Sequence, residues 1–275
     1  MPIGISIHIA LNHFDQEHYG RPGRLQGCEF DAEDMACIAE REGFDVRALL
    51  LSRKATHQAV TRALRRAAQD LRKGDILLLS FAGHGGNVDD GNGDETTSND
   101  QTWCLYDQQL VDDELFAHLA RFRKGVRILV VSDSCYSGSM LSRVQKQHHL
   151  SAAAGSSPRV RALRPGRARK VYQAHRSLYD GIQAKFSKGR AIEVQASALL
   201  LSACRDTEVA QDGVRNGLFT AALRTAWEAR TAKTYVHFRA QIADIVLQQN
   251  AEQHPWQQMQ GMENPEFELQ RPFEI

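Results

Sequence analysis

The chain has 275 residues, 42% of them apolar and 24% charged, with 34 basic and 33 acidic side chains and a formal net charge of +1. That composition suits a globular protein with a sizeable core, and no apolar run approaches the roughly 20 residues needed to span a bilayer. Five cysteines (Cys28, Cys37, Cys104, Cys135, Cys204) are an odd number without a CxxC pair, which argues against a disulfide framework and a structural zinc site.

The N-terminus, MPIGISIHIALNHFDQ, carries no basic leader or cleavage site, so a cytoplasmic location is expected. Ile3 to Ala10 reads as a buried first strand. DAEDMACIAEREG (31–43) follows as a helix, with Asp31 placed as its N-cap and Gly43 closing it. DVRALLL (45–51) predicts a second strand, residues 56–74 a helix, and DILLLSFAG (75–83) a third strand buried on both faces. From Gly83 to Asp100 the composition is that of a loop. Residues 111–125 read as a helix, and VRILVVSD (126–133) as a fourth strand. The rhythm implies an α/β fold with a single, mostly parallel twisted sheet covered by helices on both faces.

Past Met140 the pattern breaks. Residues 143–190 hold twelve of the basic residues and one acid, leaving 22 basic and 32 acidic residues elsewhere. This small, polar, basic stretch is not expected to join the core. SALLLSACRD (197–206) resumes as a fifth strand, two helices follow, and NPEFELQRPFEI suits a short terminal strand.

Two strands end in residues that carry chemistry: SFAGHGG places His84 after the third, and RILVVSDSCYSG places Cys135 after the fourth. Function collects beyond the carboxyl ends of parallel strands. There an imidazole can take the proton of a thiol, leaving the thiolate as nucleophile. The backbone N–H groups of Gly85 and Cys135 could form an oxyanion hole. Asp133, two residues before Cys135, shares its face and would favour a cationic substrate residue. Singly, a His-Gly is a turn and a cysteine a buried hydrophobe. At the ends of two successive strands they point to catalysis.

SFAGHGG, DQTWCLYD, VDDEL, DSCYSGS and SACRDTEVAQD, in that order, resemble a metacaspase or its bacterial form, the orthocaspase. The resemblance runs from GCEFDAEDM to QRPFEI and skips only the basic insertion. It implies a caspase-like fold divided into a large-subunit-like region (1–142), a basic linker (143–196) and a small-subunit-like region (197–275). It also implies a cysteine endopeptidase that cuts protein or peptide substrates after Arg or Lys, with Cys135 as nucleophile and His84 as acid/base. By the same resemblance, Cys28, Asp31 and Asp133 line the S1 pocket, and a monomer is expected. Calcium would be held through Asp100, Asp112 and Asp113, although Ser142 stands where the family often has a fourth aspartate. The chain also has Ala82 and Tyr136 where relatives commonly have serine and histidine. A basic linker in an arginine-specific protease suggests self-cleavage at one or more of Arg161, Arg164, Arg167, Arg169 or Lys170. The rival reading is a non-proteolytic module that binds nucleic acid or other anions through the basic stretch. Sparse aromatics there (Tyr172, Tyr179, Phe186) weaken a base-stacking role.

Overall fold

A computed structural model describes residues 1–89, 99–135, 159–186, 194–205 and 208–275. Its centre is a six-stranded sheet formed by β1 (Gly4–Ala10), β2 (Asp45–Leu51), β3 (Ile76–Ala82), β7 (Arg127–Asp133), β8 (Ser197–Ser202) and β9 (Trp256–Gly261), in the order β2-β1-β3-β7-β8-β9. All neighbouring pairs run parallel except β8 with β9. Every residue of β1, β3 and β7 is buried, as consecutive apolar residues require when helices cover both faces.

One face of the sheet packs on α2 (Cys28–Arg41), α7 (Leu218–Ala229) and α8 (Tyr235–Gln249), through Met35, Ile38, Phe219 and Phe238. The other face packs on α3 (His57–Asp70), whose Val60 and Leu64 are fully buried. Shorter helices are α1 (Gln16–Tyr19), α4 (Asp112–Leu119) and α9 (Pro265–Leu269). Among the described residues no helix is long and apolar enough to cross a membrane.

Three local expectations are corrected. The stretch after Gly83 is not all loop: β4 (Gly85–Asp89), β5 (Asn99–Cys104) and β6 (Gln109–Val111) form a small antiparallel sheet. The terminal strand lies earlier than NPEFEL, which instead starts α9, with Asn264 accepting from the Phe267 N–H at its N-cap. Asp31 does not cap α2, because Gly27 holds that position and Asp31 sits one turn inside.

The largest departure is in the basic segment. Residues 159–163 are extended, and two helices follow, α5 (Pro165–Ala174) and α6 (Arg176–Phe186). Leu163, Ala168, Val171, Tyr172 and Tyr179 join the main apolar core. Tyr179 is fully buried, and its hydroxyl meets His18 Nε2 at 2.6 Å and accepts from the Gln109 N–H at 3.2 Å. His18 stacks on His175, with ring centroids 4.0 Å apart. Residues 159–186 are a docked part of the fold because one face of each helix is apolar beneath its basic surface.

Candidate active site

β3 and β7 are in parallel register, with Ala82 opposite Asp133. His84 and Cys135 each lie two residues further on, so the register brings both to the same edge of the sheet. Cys135 is fully buried, and its Sγ meets the backbone N–H and carbonyl of Ala210. His84 is buried against Phe14, with ring centroids 5.1 Å apart, and its Nε2 lies 3.3 Å from the Gly23 carbonyl. Its Nδ1 has no hydrogen-bond partner among the described residues. Burial lowers the His84 pKa to about 4, so the ring is neutral near pH 7 and able to accept a proton.

Arg161 lies across this edge and is fully buried. Its carbonyl accepts from the Gly85 N–H at 2.9 Å and the Cys135 N–H at 3.0 Å, the two donors named as a candidate oxyanion hole. Its guanidinium enters a pocket of three carboxylates. Nη1 meets Asp133 Oδ2 at 2.9 Å, Nη2 meets Asp31, and Asp212 Oδ1 takes Nη2 at 3.0 Å and Nε at 3.3 Å. Cys28 is buried alongside, where apolar surroundings push its thiol pKa up and Arg161 opposes the shift.

The pocket is built by the start of α7. The Gly217 N–H donates to Asp31, and the Thr220 N–H and hydroxyl donate to Asp133 Oδ2 at 3.1 and 2.7 Å. Carboxylates at a helix N-terminus satisfy its orphan donors and its dipole. Asn216 Nδ2 adds a further bond to Asp31 at 2.9 Å, while Asp212 is fixed by the Gln26 and Gly27 N–H groups. A Cβ on Gly217 would come within 2.6 Å of the Arg161 Cζ, so only glycine leaves the guanidinium its seat. A Cβ on Gly85 would fall 1.7 Å from the Cys135 carbonyl oxygen, which requires glycine there too.

Three acids around one cation leave surplus negative charge. Burial, with Asp133 nearby, raises the Asp31 pKa to about 8 against the opposing pull of Arg161. The pocket therefore holds a proton near neutrality. Burial alone would lower the Arg161 pKa, but Asp133, Asp31 and Asp212 raise it well above the usual value and keep the guanidinium charged.

Asp212 and Gly217 are the residues the sequence reading missed. Asp212 stands in the quoted SACRDTEVAQD, beyond the end of β8, and the rule that sent attention to the ends of β3 and β7 applied there as well. Of the five candidate cleavage residues, only Arg161 reaches the site. Arg164 is exposed before α5, and Arg167, Arg169 and Lys170 lie within that helix. The calcium candidates are placed differently. Asp100, on β5, accepts from Gln183 Nε2 at 2.8 Å, and Asp112 and Asp113 open α4, where the Asp113 N–H donates to Asp112 Oδ1. Among the described residues no group of three or more His, Cys, Asp or Glu side chains is arranged to hold a metal ion. Tyr136 and Ser142 lie outside the described residues.

The family model described as the caspase domain matches residues 4–265. Metacaspase-1 of Scheffersomyces stipitis is 27% identical over 252 residues, which cover 78% of this chain and 59% of that one. The chain thus spans less than two thirds of that relative's length. The crystal structure of protein GSU0716 from Geobacter sulfurreducens is 41% identical, with a TM-score of 0.88, and covers 100% of this chain and 99% of its own. The crystal structure of Caspase-1 from Spodoptera frugiperda has a TM-score of 0.53 at 12% identity, covering 95% of this chain and 87% of that one, a likeness of fold. With the family model matched along nearly its whole length, this chain belongs to the caspase-domain family of cysteine peptidases.

Proposed function

We propose that the chain is a cysteine endopeptidase of metacaspase type that cleaves after arginine, and that its own Arg161–Ala162 bond is a substrate. The observation that carries this reading is Arg161 itself, with its side chain held by three acids and its carbonyl bonded by two backbone N–H groups beside a thiol. A guanidinium uses the pocket fully because Nε and both terminal nitrogens have carboxylate partners. Lysine, with one ammonium, would engage fewer of them and be cut more slowly.

The steps follow from these groups. Neutral His84 takes the Cys135 proton, and the thiolate attacks the Arg161 carbonyl carbon. The charge that develops on its oxygen falls between the Gly85 and Cys135 N–H groups. His84 returns the proton to the Ala162 nitrogen, the C–N bond breaks, and Arg161 remains as a thioester. Water, deprotonated by His84, then attacks the thioester and releases the carboxylate and the free thiol. The rival anion-binding reading can draw on the exposed Arg159, Arg164, Arg169 and Lys170, but it gives no account of the buried Arg161 and its three carboxylates.

Incubation of the purified chain beside Cys135→Ala, followed by mass analysis of the fragments, tests the reading. Cleavage between Arg161 and Ala162 that Cys135→Ala abolishes supports it. An intact wild-type chain that also leaves arginyl peptides uncut would overturn it.

A further inference from the structure

We propose that the site selects its substrates on the leaving side of the scissile bond as well, through a subsite that takes an apolar residue of leucine type two positions past the arginine, after a small one. This rests on the reading of Arg161 as the residue cleaved after. Gly85 brackets the bond with both of its backbone groups: its N–H donates to the Arg161 carbonyl at 2.9 Å, and its carbonyl accepts from the Leu163 N–H at 2.8 Å. Ala162 pairs with Gly85 as a parallel bridge. The chain on the leaving side is therefore held as an added strand on the start of β4, and an added strand sends successive side chains to opposite faces.

The two side chains that follow the bond are enclosed. Ala162 is 4% exposed, in the apolar cluster that also holds Cys135 and Ala210. Leu163 is 1% exposed, in the opposite cluster, which also holds Phe14, Val88 and Trp103. Arg164 is exposed, and α5 begins at Pro165, so enclosure ends after the second residue.

The side before the bond is read differently. The Arg161 N–H donates to the Ala210 carbonyl at 3.0 Å, and the Asp212 N–H donates to the Arg159 carbonyl at 2.8 Å, an antiparallel pairing through backbone alone. Arg159 is exposed and Val160 only half-buried. Backbone pairing fixes the register there and discriminates little among side chains, whereas enclosed side chains on the leaving side do discriminate. The substrate class is thus an extended segment with arginine followed by a small residue and then an apolar one.

Internally quenched peptides test this with the wild-type, self-processed chain, so no variant has to fold. The reference peptide is Val-Arg-Ala-Leu, compared with versions carrying Asp in place of Leu or Phe in place of Ala. A further version has Ala in place of Arg. The expected result is that kcat/KM falls on the order of tenfold or more for both leaving-side changes, the range set by fit in an enclosed apolar site. Equal cleavage of the Leu and Asp peptides, with the arginine-free peptide resistant, would overturn the leaving-side subsite and leave the arginine reading standing. If no arginyl peptide is cut, both fall.

Discussion

The pocket that holds the Arg161 guanidinium and the hollow that holds its carbonyl are adjacent and built on opposite principles. The pocket concentrates charge in Asp31, Asp133 and Asp212, which are tied to the N-terminus of α7 and to the backbone at Gln26 and Gly27. The hollow carries almost none. A neutral imidazole, a buried thiol and two N–H groups wait there for charge that appears only during reaction. On the proposed reading the difference separates selection from rate: charge placed permanently in the pocket would sort substrates, while preorganised neutral donors in the hollow would stabilise the transition state.

Three changes would break or sharpen that contrast. The largest effect is expected from Asp133→Ala, which leaves a buried guanidinium short of one partner and Thr220 without its acceptor. Loss of one partner of a buried pair costs about 3–5 kcal/mol. Cleavage of an arginyl peptide should therefore fall on the order of a hundredfold or more, with KM carrying most of the loss. If kcat falls and KM does not change, pocket and hollow are not separable.

Next is Gly217→Ala, whose Cβ would intrude on the Arg161 Cζ at 2.6 Å. Overpacking of this kind costs about 1–3 kcal/mol. Arginyl peptides should lose roughly tenfold to a hundredfold in kcat/KM, and lysyl peptides less. Equal losses for the two would show that the ammonium reaches the same depth.

A third change acts on stability and not on cleavage: pH, read as melting temperature. His8, His18 and His84 have pKa values lowered to about 3, 4 and 4, each mainly by burial. Between pH 6.5 and 4 the unfolded chain binds their protons and the fold does not, so stability falls as the pH falls, by about 1 kcal/mol per unit for each of the buried His8 and His84 and by less for the half-buried, solvent-screened His18. Asp31, raised to about 8, acts the other way: the folded state keeps its proton, and that contribution is lost as the pH rises toward 8. Stability should peak between these limits, and Asp31→Asn should flatten the alkaline side and steepen the acid side, because the Asp31 contribution declines over the whole interval from about pH 4 to about pH 8. A maximum well below pH 6 would contradict the neutral state of His84.

The central strands were legible because they are buried on both faces and spell continuous apolar runs; β3 and β7 are also followed closely by His84 and Cys135. The small sheet β4-β5-β6 was not, since Gly85 and Gly86 serve close backbone approach while reading as loop. β9 is an exposed edge whose glutamines hide its period, so the strand was sought too late in the chain. Asp133 could be found from its spacing to Cys135. Asp212 was within reach of the strand-end rule but stands ten residues past the end of β8, and its place in the pocket depends on a crossing of chain segments far apart in sequence. The basic segment misled for a related reason. Its charge was read as an average, while the buried face of α5 and α6 rests on a few residues, Val171, Tyr172 and Tyr179 among them.

With Arg161 read as the proposed substrate, its docking also sets a threshold for every other one. A peptide arriving from solution competes with a residue tethered to the same molecule, and short tethers correspond to local concentrations in the millimolar range. While Arg161 occupies the pocket, an outside arginine is kept waiting at any ordinary concentration. On that reading the first cut is unimolecular: its half-time belongs to the single molecule and does not change on dilution. A self-cleaving chain built this way would carry its own timer, wound by three carboxylates and started by one thiol.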